Sequence, residues 1–125
     1  MKALAQSTFL GNLEELDLYG NDIGLDGIEA LVKSATIKNL KTLNLKKNKV
    51  GDSGIAALAE ASGMERLEEL DLQWNGITES GARSLTNASG FPRLRILKLW
   101  DNEIGEDGRK AIETSPNFKI SNPIY

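Results

Sequence analysis

The chain contains no cysteine and no histidine. Without cysteine it has neither a disulfide framework nor a thiolate metal site. Without histidine it lacks the commonest general base and the commonest metal ligand. No apolar run approaches the roughly 20 residues that a membrane-spanning helix needs. Met1 to Gln6 lack the apolar core of a signal peptide. Positive charge is not in excess either. The 125 residues carry a formal net charge of −3, whereas nucleic-acid binding usually shows a strongly basic face. The expectations from these absences are one domain, no catalytic residues, no cofactor, no metal, no nucleic-acid partner and no membrane span. A cytoplasmic location fits the lack of cysteine, with a secreted effector as the alternative.

What the chain has in abundance is leucine, and the leucines are periodic. Leu13 to Asn21 reads L-x-x-L-x-L-x-x-N. The pattern returns at Leu40 to Asn48, Leu67 to Asn75 and Leu94 to Asn102, so its asparagines fall 27 residues apart. A fixed period of this size marks a solenoid. The boundaries expected are a partial repeat over 1–12, full repeats over 13–39, 40–66, 67–93 and 94–120, and the start of a further strand or a cap over 121–125. Within 1–12, Met1 to Ser7 are expected as the last turns of a helix and Thr8 to Asn12 as the link into the first strand.

Each repeat has two halves. The first alternates apolar and polar residues, the period-2 signal of a short strand with one buried face. Leu16, Leu43, Leu70 and Leu97 are expected to point inward, as are Leu18, Leu45, Leu72 and Leu99. The asparagine column follows; a side-chain amide both donates and accepts, and so can bond backbone groups where the chain leaves the strand. The second half carries helix signals. Gly24, Gly51, Thr78 and Gly105 are acceptable N-caps. Asp26, Asp52, Glu79, Glu106 and Asp107 favour the helix dipole in the first turn.

A glycine column, Gly27, Gly54, Gly81 and Gly108, comes next. Glycine inside a helix costs roughly 1 kcal/mol against alanine, so its recurrence points to close packing on a neighbouring helix. The buried helix columns expected are Leu31, Leu58, Leu85, Ile112 and Ile28, Ile55, Ala82, the second broken by Arg109. Ile37, Met64, Phe91 and Phe118 form an apolar column in the return loop. Gly-x-x-Gly at 24–27, 51–54 and 105–108 lacks the lysine and Ser/Thr of a phosphate loop.

The consensus L-x-x-L-x-L-x-x-N, then Ile or Val two residues on, then Gly or Thr, then Gly three further on, resembles the ribonuclease-inhibitor-like class of leucine-rich repeats over about residues 4–119. The resemblance implies an α/β, right-handed solenoid: a horseshoe segment with parallel strands on the concave face and helices on the convex face. It also implies a binding scaffold rather than an enzyme, because one solenoid hosts many unrelated partners. Ran GTPase-activating proteins have related repeats, and that accessory role is a minor reading, since no motif residue carries over.

The ends depart from the pattern. A terminal repeat needs a polar cap, yet Leu4, Phe9 and Leu10 stand near the start. The expectation is a fragment of a longer protein, or an end covered by another chain. At the other end Ile124 falls 27 after Leu97, and Pro123 suits an edge strand.

Function is expected on the strand residues that alternate with the inward leucines. Their columns are Glu15, Thr42, Glu69, Ile96; Asp17, Asn44, Asp71, Lys98; Tyr19, Lys46, Gln73, Trp100; and, at the strand end, Gly20, Lys47, Trp74, Asp101. Both tryptophans fall here, and neighbouring strands lie about 4.8 Å apart, so Trp74 and Trp100 should meet. Exposed aromatics are common interface anchors; the alternative is that the indoles pack on the stems of Lys47 and Lys98. Acidic rows (Glu14, Glu15, Asp17; Glu68, Glu69, Asp71) alternate with a basic one (Lys46, Lys47, Lys49), which suits cross-strand pairing. The candidate partner-binding set is Tyr19, Lys46, Lys47, Asp71, Gln73, Trp74, Lys98, Trp100 and Asp101, for a protein or peptide. The alternative function is a structural or self-associating segment of a larger repeat protein, joined through the uncapped N-terminal end.

Overall fold

The computed structural model describes residues 12–117 and the backbone of residues 122–124. Leu4, Phe9, Leu10, the N-terminal helix and link, and Phe118 therefore lie outside the described residues. Five parallel strands, β1 (Glu15–Asp17), β2 (Thr42–Asn44), β3 (Glu69–Asp71), β4 (Ile96–Lys98) and β5 (Asn122–Ile124), form one sheet in sequence order. Four helices alternate with them: α1 (Leu25–Val32), α2 (Gly51–Glu60), α3 (Glu79–Thr86) and α4 (Glu106–Glu113). A short 3-10 helix, Ala35–Asn39, links α1 to β2. Each helix packs on the next, and one core runs between helices and sheet.

Each three-residue strand from β1 to β4 buries a single central leucine. Leu16, Leu43, Leu70 and Leu97 are buried and lie opposite one another across β1 to β4. Leu45, Leu72 and Leu99 are buried one step on, while Leu18, on the first strand's exit, is half-buried. From the helices come Ile28, Ile55 and Ala82, and Leu31, Leu58, Leu85 and Ile112; Ile37, Met64 and Phe91 close the return side. Arg109 is exposed, as its break in the apolar column requires.

The strands end by a shared device. The Asp17 carboxylate accepts from the Tyr19 N–H at 2.9 Å, the Asn44 amide oxygen from Lys46 N–H at 2.9 Å, and the Asp71 carboxylate from Gln73 N–H at 3.0 Å. Short polar side chains that bond two residues ahead turn the chain out of a ladder. The asparagines then tie neighbouring repeats together. Asn48 Oδ1 accepts from the N–H groups of Asn21 and Ile23, both at 2.9 Å, while its Nδ2 donates to the carbonyls of Leu18 and Leu45 at 2.9 and 2.8 Å. Asn102 does the same for Asn75, Ile77, Leu72 and Leu99. Buried backbone groups must be paired, and this column pairs them.

Gly54 and Gly108 of the glycine column sit where a side chain would be crowded. A Cβ on Gly54 would stand 2.7 Å from Val50 Cγ1 and 3.5 Å from Ile28 Cγ1 of α1. One on Gly108 would stand 2.9 Å from Ile104 Cγ2 and 3.2 Å from Ala82 Cβ of α3. At both positions the residue four places back leaves no room, and at Gly108 the preceding helix is tight as well.

Two expectations need correction. Gly51 is not the N-cap of α2: it is the first helical residue, and Val50 precedes it as the cap, its carbonyl accepting from Gly54 N–H at 3.0 Å. Nor does Ile124 stand opposite Leu97. Pro123 pairs with Leu97 and Ile124 with Lys98, a register of 26 where the earlier strands keep 27. The reason is the missing N–H of proline. Residues of the column Thr42, Glu69, Ile96 each donate to a carbonyl of the preceding strand's entry, Glu14, Lys41 and Glu68. A 27-residue register would place Pro123 in that donating column. A shift of one residue puts it where no donor toward β4 is needed.

Candidate functional site

The outward positions of the strands form a continuous polar and aromatic face. A depression of about 200 Å³ crosses it at β1 to β3, lined by Glu15, Asp17, Thr42, Asn44, Glu69 and Lys98 among others. Beyond it, at the strand exits, stand Tyr19, Trp74 and Trp100, each about half exposed (49, 51 and 49%). Every other large apolar side chain of the strands and exits is at least half-buried, so these three are set apart.

The exit rim is built by an unusual backbone. Gly20, Lys47, Trp74 and Asp101, one column, all have positive φ, at 66, 55, 55 and 59°. Glycine adopts this region freely, but for a bulky residue it is uncommon and strained. Gly20 was the sequence signal for it, and Asp101 a weaker one, since aspartate tolerates this region; nothing in Lys47 or Trp74 marks the conformation. The ladder continues through this column. Gly20 N–H donates to the Lys46 carbonyl at 3.0 Å, Lys47 N–H to Gln73 at 2.9 Å and Trp74 N–H to Trp100 at 3.1 Å. The two tryptophans thus meet through their backbones, as their adjacent columns require.

The charges sort into paired and unpaired sets. Lys98 Nζ lies 2.6 Å from Glu69 Oε1, with both side chains about one-third exposed. This hydrogen bond raises the Lys98 pKa above its ordinary value; partial burial opposes it, and the negative charge of Glu69, then that of Asp71, adds to it. Lys41 pairs with Glu14 at 3.3 Å, Arg95 with Glu68 at 3.8 Å and Lys49 with Asp22 at 3.1 Å. All four pairs join neighbouring repeats, but of the basic row Lys46, Lys47 and Lys49 only Lys49 takes part, with Asp22 outside the acidic rows; the acidic rows are met by Lys41, Arg95 and Lys98 instead. Lys98 is held by Glu69, and Lys47 lies over the Tyr19 ring with Nζ 5.6 Å from its centroid. Among the described residues neither Lys46 nor Lys47 forms an ion pair. Asp71 is committed twice to Gln73, through the backbone N–H at 3.0 Å and the side-chain amide at 3.3 Å. Asp101 is exposed at the end of the rim. Sequence reasoning set Glu14 and Glu69 in the acidic rows but missed Lys41 and Lys98 as the cations that engage them; the 27- and 29-residue separations were the available signal.

A leucine-rich-repeat model matches residues 12–32, 36–59 and 66–85, just over half of the chain. The protein belongs to the leucine-rich-repeat family. No curated protein matches it. Solved structures do, among them leiomodin-1 actin-binding site 2, with a TM-score of 0.70 and 17% identity over 82% of this chain. The chain spans 65% of that structure's length. At this identity the likeness is one of fold.

Proposed function

We propose that the protein is an interaction module that binds a protein or peptide on its strand surface, the concave face of a right-handed, ribonuclease-inhibitor-like stack of four 27-residue repeats. The observation that carries the reading is the placement of Tyr19, Trp74 and Trp100. The other large apolar side chains of the strands and their exits are at least half-buried, yet these three stand half exposed on one rim, beside two lysines that form no ion pair among the described residues. Aromatic side chains bury much area at low rotamer cost and dominate interface energetics. Strain held at an exposed residue such as Trp74 is also a mark of functional sites. The reading assigns no catalytic step and no cofactor, and it places the module in the cytoplasm.

A pull-down from lysate of the source organism tests it, with wild type set against Trp74→Ala combined with Trp100→Ala. Actin belongs among the candidates probed, because the leiomodin-1 segment of similar fold is an actin-binding site. Partner retained by wild type and lost by the variant is the expected result. Equal retention by a variant that melts like wild type overturns the reading.

Self-association is the second reading. Leu25 of α1 is 39% exposed, and Leu13 and Leu18 are only half-buried at the same end. A concentration-independent monomer mass by light scattering would count against it.

A further inference from the structure

The strand face is divided in charge along the strands. Its entry half carries Glu15, Asp17, Glu69 and Asp71, with Lys98 as the sole cation of those two columns. Its exit half carries Lys46 and Lys47 with the three aromatics, and Asp101 as the sole anion. The carboxylates of the entry half are largely engaged. Glu69 holds Lys98, and Asp17 and Asp71 accept from backbone N–H groups. The two exit lysines have no such partner. Lys46 is half-buried, between Tyr19 and Gln73 in their shared column, and Lys47 is exposed and held over Tyr19.

We propose that the exit rim recognises an acidic, aromatic- or aliphatic-bearing peptide segment of the partner, with its carboxylates on Lys46 and Lys47 and its apolar side chains on Tyr19, Trp74 and Trp100. The proposal rests on the strand-face reading above and narrows the partner's chemistry. Charge complementarity selects the sign. A basic segment would meet two uncompensated lysines, and like charges brought together are disfavoured. An acidic segment on the entry half would meet four carboxylates instead, so the exit rim is where it docks. The left-handed backbone of Lys47 and Trp74 supports the same assignment. It holds both side chains on a fixed rim, and rigid anchors lose less conformational freedom on binding.

Selection of peptides from a displayed random library on the full chain tests the idea. The recovered peptides are then titrated by fluorescence anisotropy onto wild type, Lys46→Glu with Lys47→Glu, Trp74→Ala with Trp100→Ala, and Lys110→Glu as an exposed charge change on α4. Thermal melts establish that each variant is folded. The expected result is enrichment of Asp and Glu next to apolar residues. Affinity should fall at least tenfold on both double variants, stay level on Lys110→Glu, and weaken with added salt. Peptides without acidic enrichment that still depend on Trp74 and Trp100 would overturn this inference and leave the strand-face reading standing. Peptides indifferent to both double variants, or no peptide recovered, would overturn both.

Discussion

Asn75 Nδ2 donates to the carbonyl of Leu45, 30 residues earlier, at 2.8 Å, and the residue is almost wholly buried. The same side chain accepts from Val50 N–H at 3.2 Å and donates to the Gln73 carbonyl at 3.0 Å. Removing it leaves the buried Val50 N–H without its partner, while the Leu45 carbonyl keeps Asn48 Nδ2 and the Gln73 carbonyl keeps Lys47 N–H. Asn75→Ala should therefore cost about 1–3 kcal/mol, the penalty for unsatisfied buried polar groups. Asn21→Ala should cost less, since Asn21 is exposed and its amide donates locally to Tyr19. Urea denaturation of the two variants checks the order.

Leu72 is fully buried, whereas Leu18, its counterpart on the first strand, is half-buried. Leu72→Ala should cost about 2–5 kcal/mol, and Leu18→Ala distinctly less. Equal losses in denaturant midpoint would contradict the register.

Trp74 sits at φ 55°. A side chain in the left-handed region costs roughly 1–2 kcal/mol, which glycine avoids. Trp74→Gly should thus be more stable than Trp74→Ala by about 1 kcal/mol, while both lose the indole. Calorimetric melts of the two variants would reveal the difference. An alanine variant at least as stable as the glycine one would show that the backbone there is unstrained.

Gly54→Ala gains helix propensity but drives its methyl against Val50 Cγ1. Overpacking typically costs about 1–3 kcal/mol, so net destabilisation is expected. Val50→Ala opens the space, and the double variant should lose less than the two single losses added together.

The Lys98–Glu69 pair predicts a dependence at alkaline pH. The folded-state pKa of Lys98 is raised, so its contribution to stability is complete below the unfolded value of about 10.4. It is lost as pH rises through the folded value. Lys98→Met should flatten the decline in stability above about pH 10. An identical alkaline profile in wild type and variant would show that the pair adds nothing.

Much of this fold is legible in the sequence because the repeat states each requirement several times. One leucine column would be ambiguous between strand and helix; four in register, each followed by Asn, are not. The tight glycines were legible for the same reason, since Gly54, Gly81 and Gly108 recur where nothing but glycine is used. Departures from the repeat were not legible. Pro123 breaks the 27-residue register through a donor it does not have, and a spacing argument takes no account of which face of the ladder a nitrogen serves. At the candidate site, the exposure of Tyr19 and Trp100 followed from alternation, but that of Trp74 did not, since it stands four places after the inward Leu70. The positive φ shared by Lys47 and Trp74 was not legible either, because only Gly20 and, more weakly, Asp101 of that column favour it. The engagement of Lys98 by Glu69 depends on side-chain reach between adjacent strands, which column assignments do not encode.

The asparagine bonds also run one way in time. The amide of Asn48 donates to Leu18, that of Asn75 to Leu45 and that of Asn102 to Leu72, always to a carbonyl 30 residues earlier. A ribosome releases the earlier residue first. Each repeat as it emerges can fasten onto one already made, and in doing so it satisfies N–H groups, such as those of Asn21 and Ile23, that the earlier repeat left open, so the chain is suited to folding in the order of its synthesis.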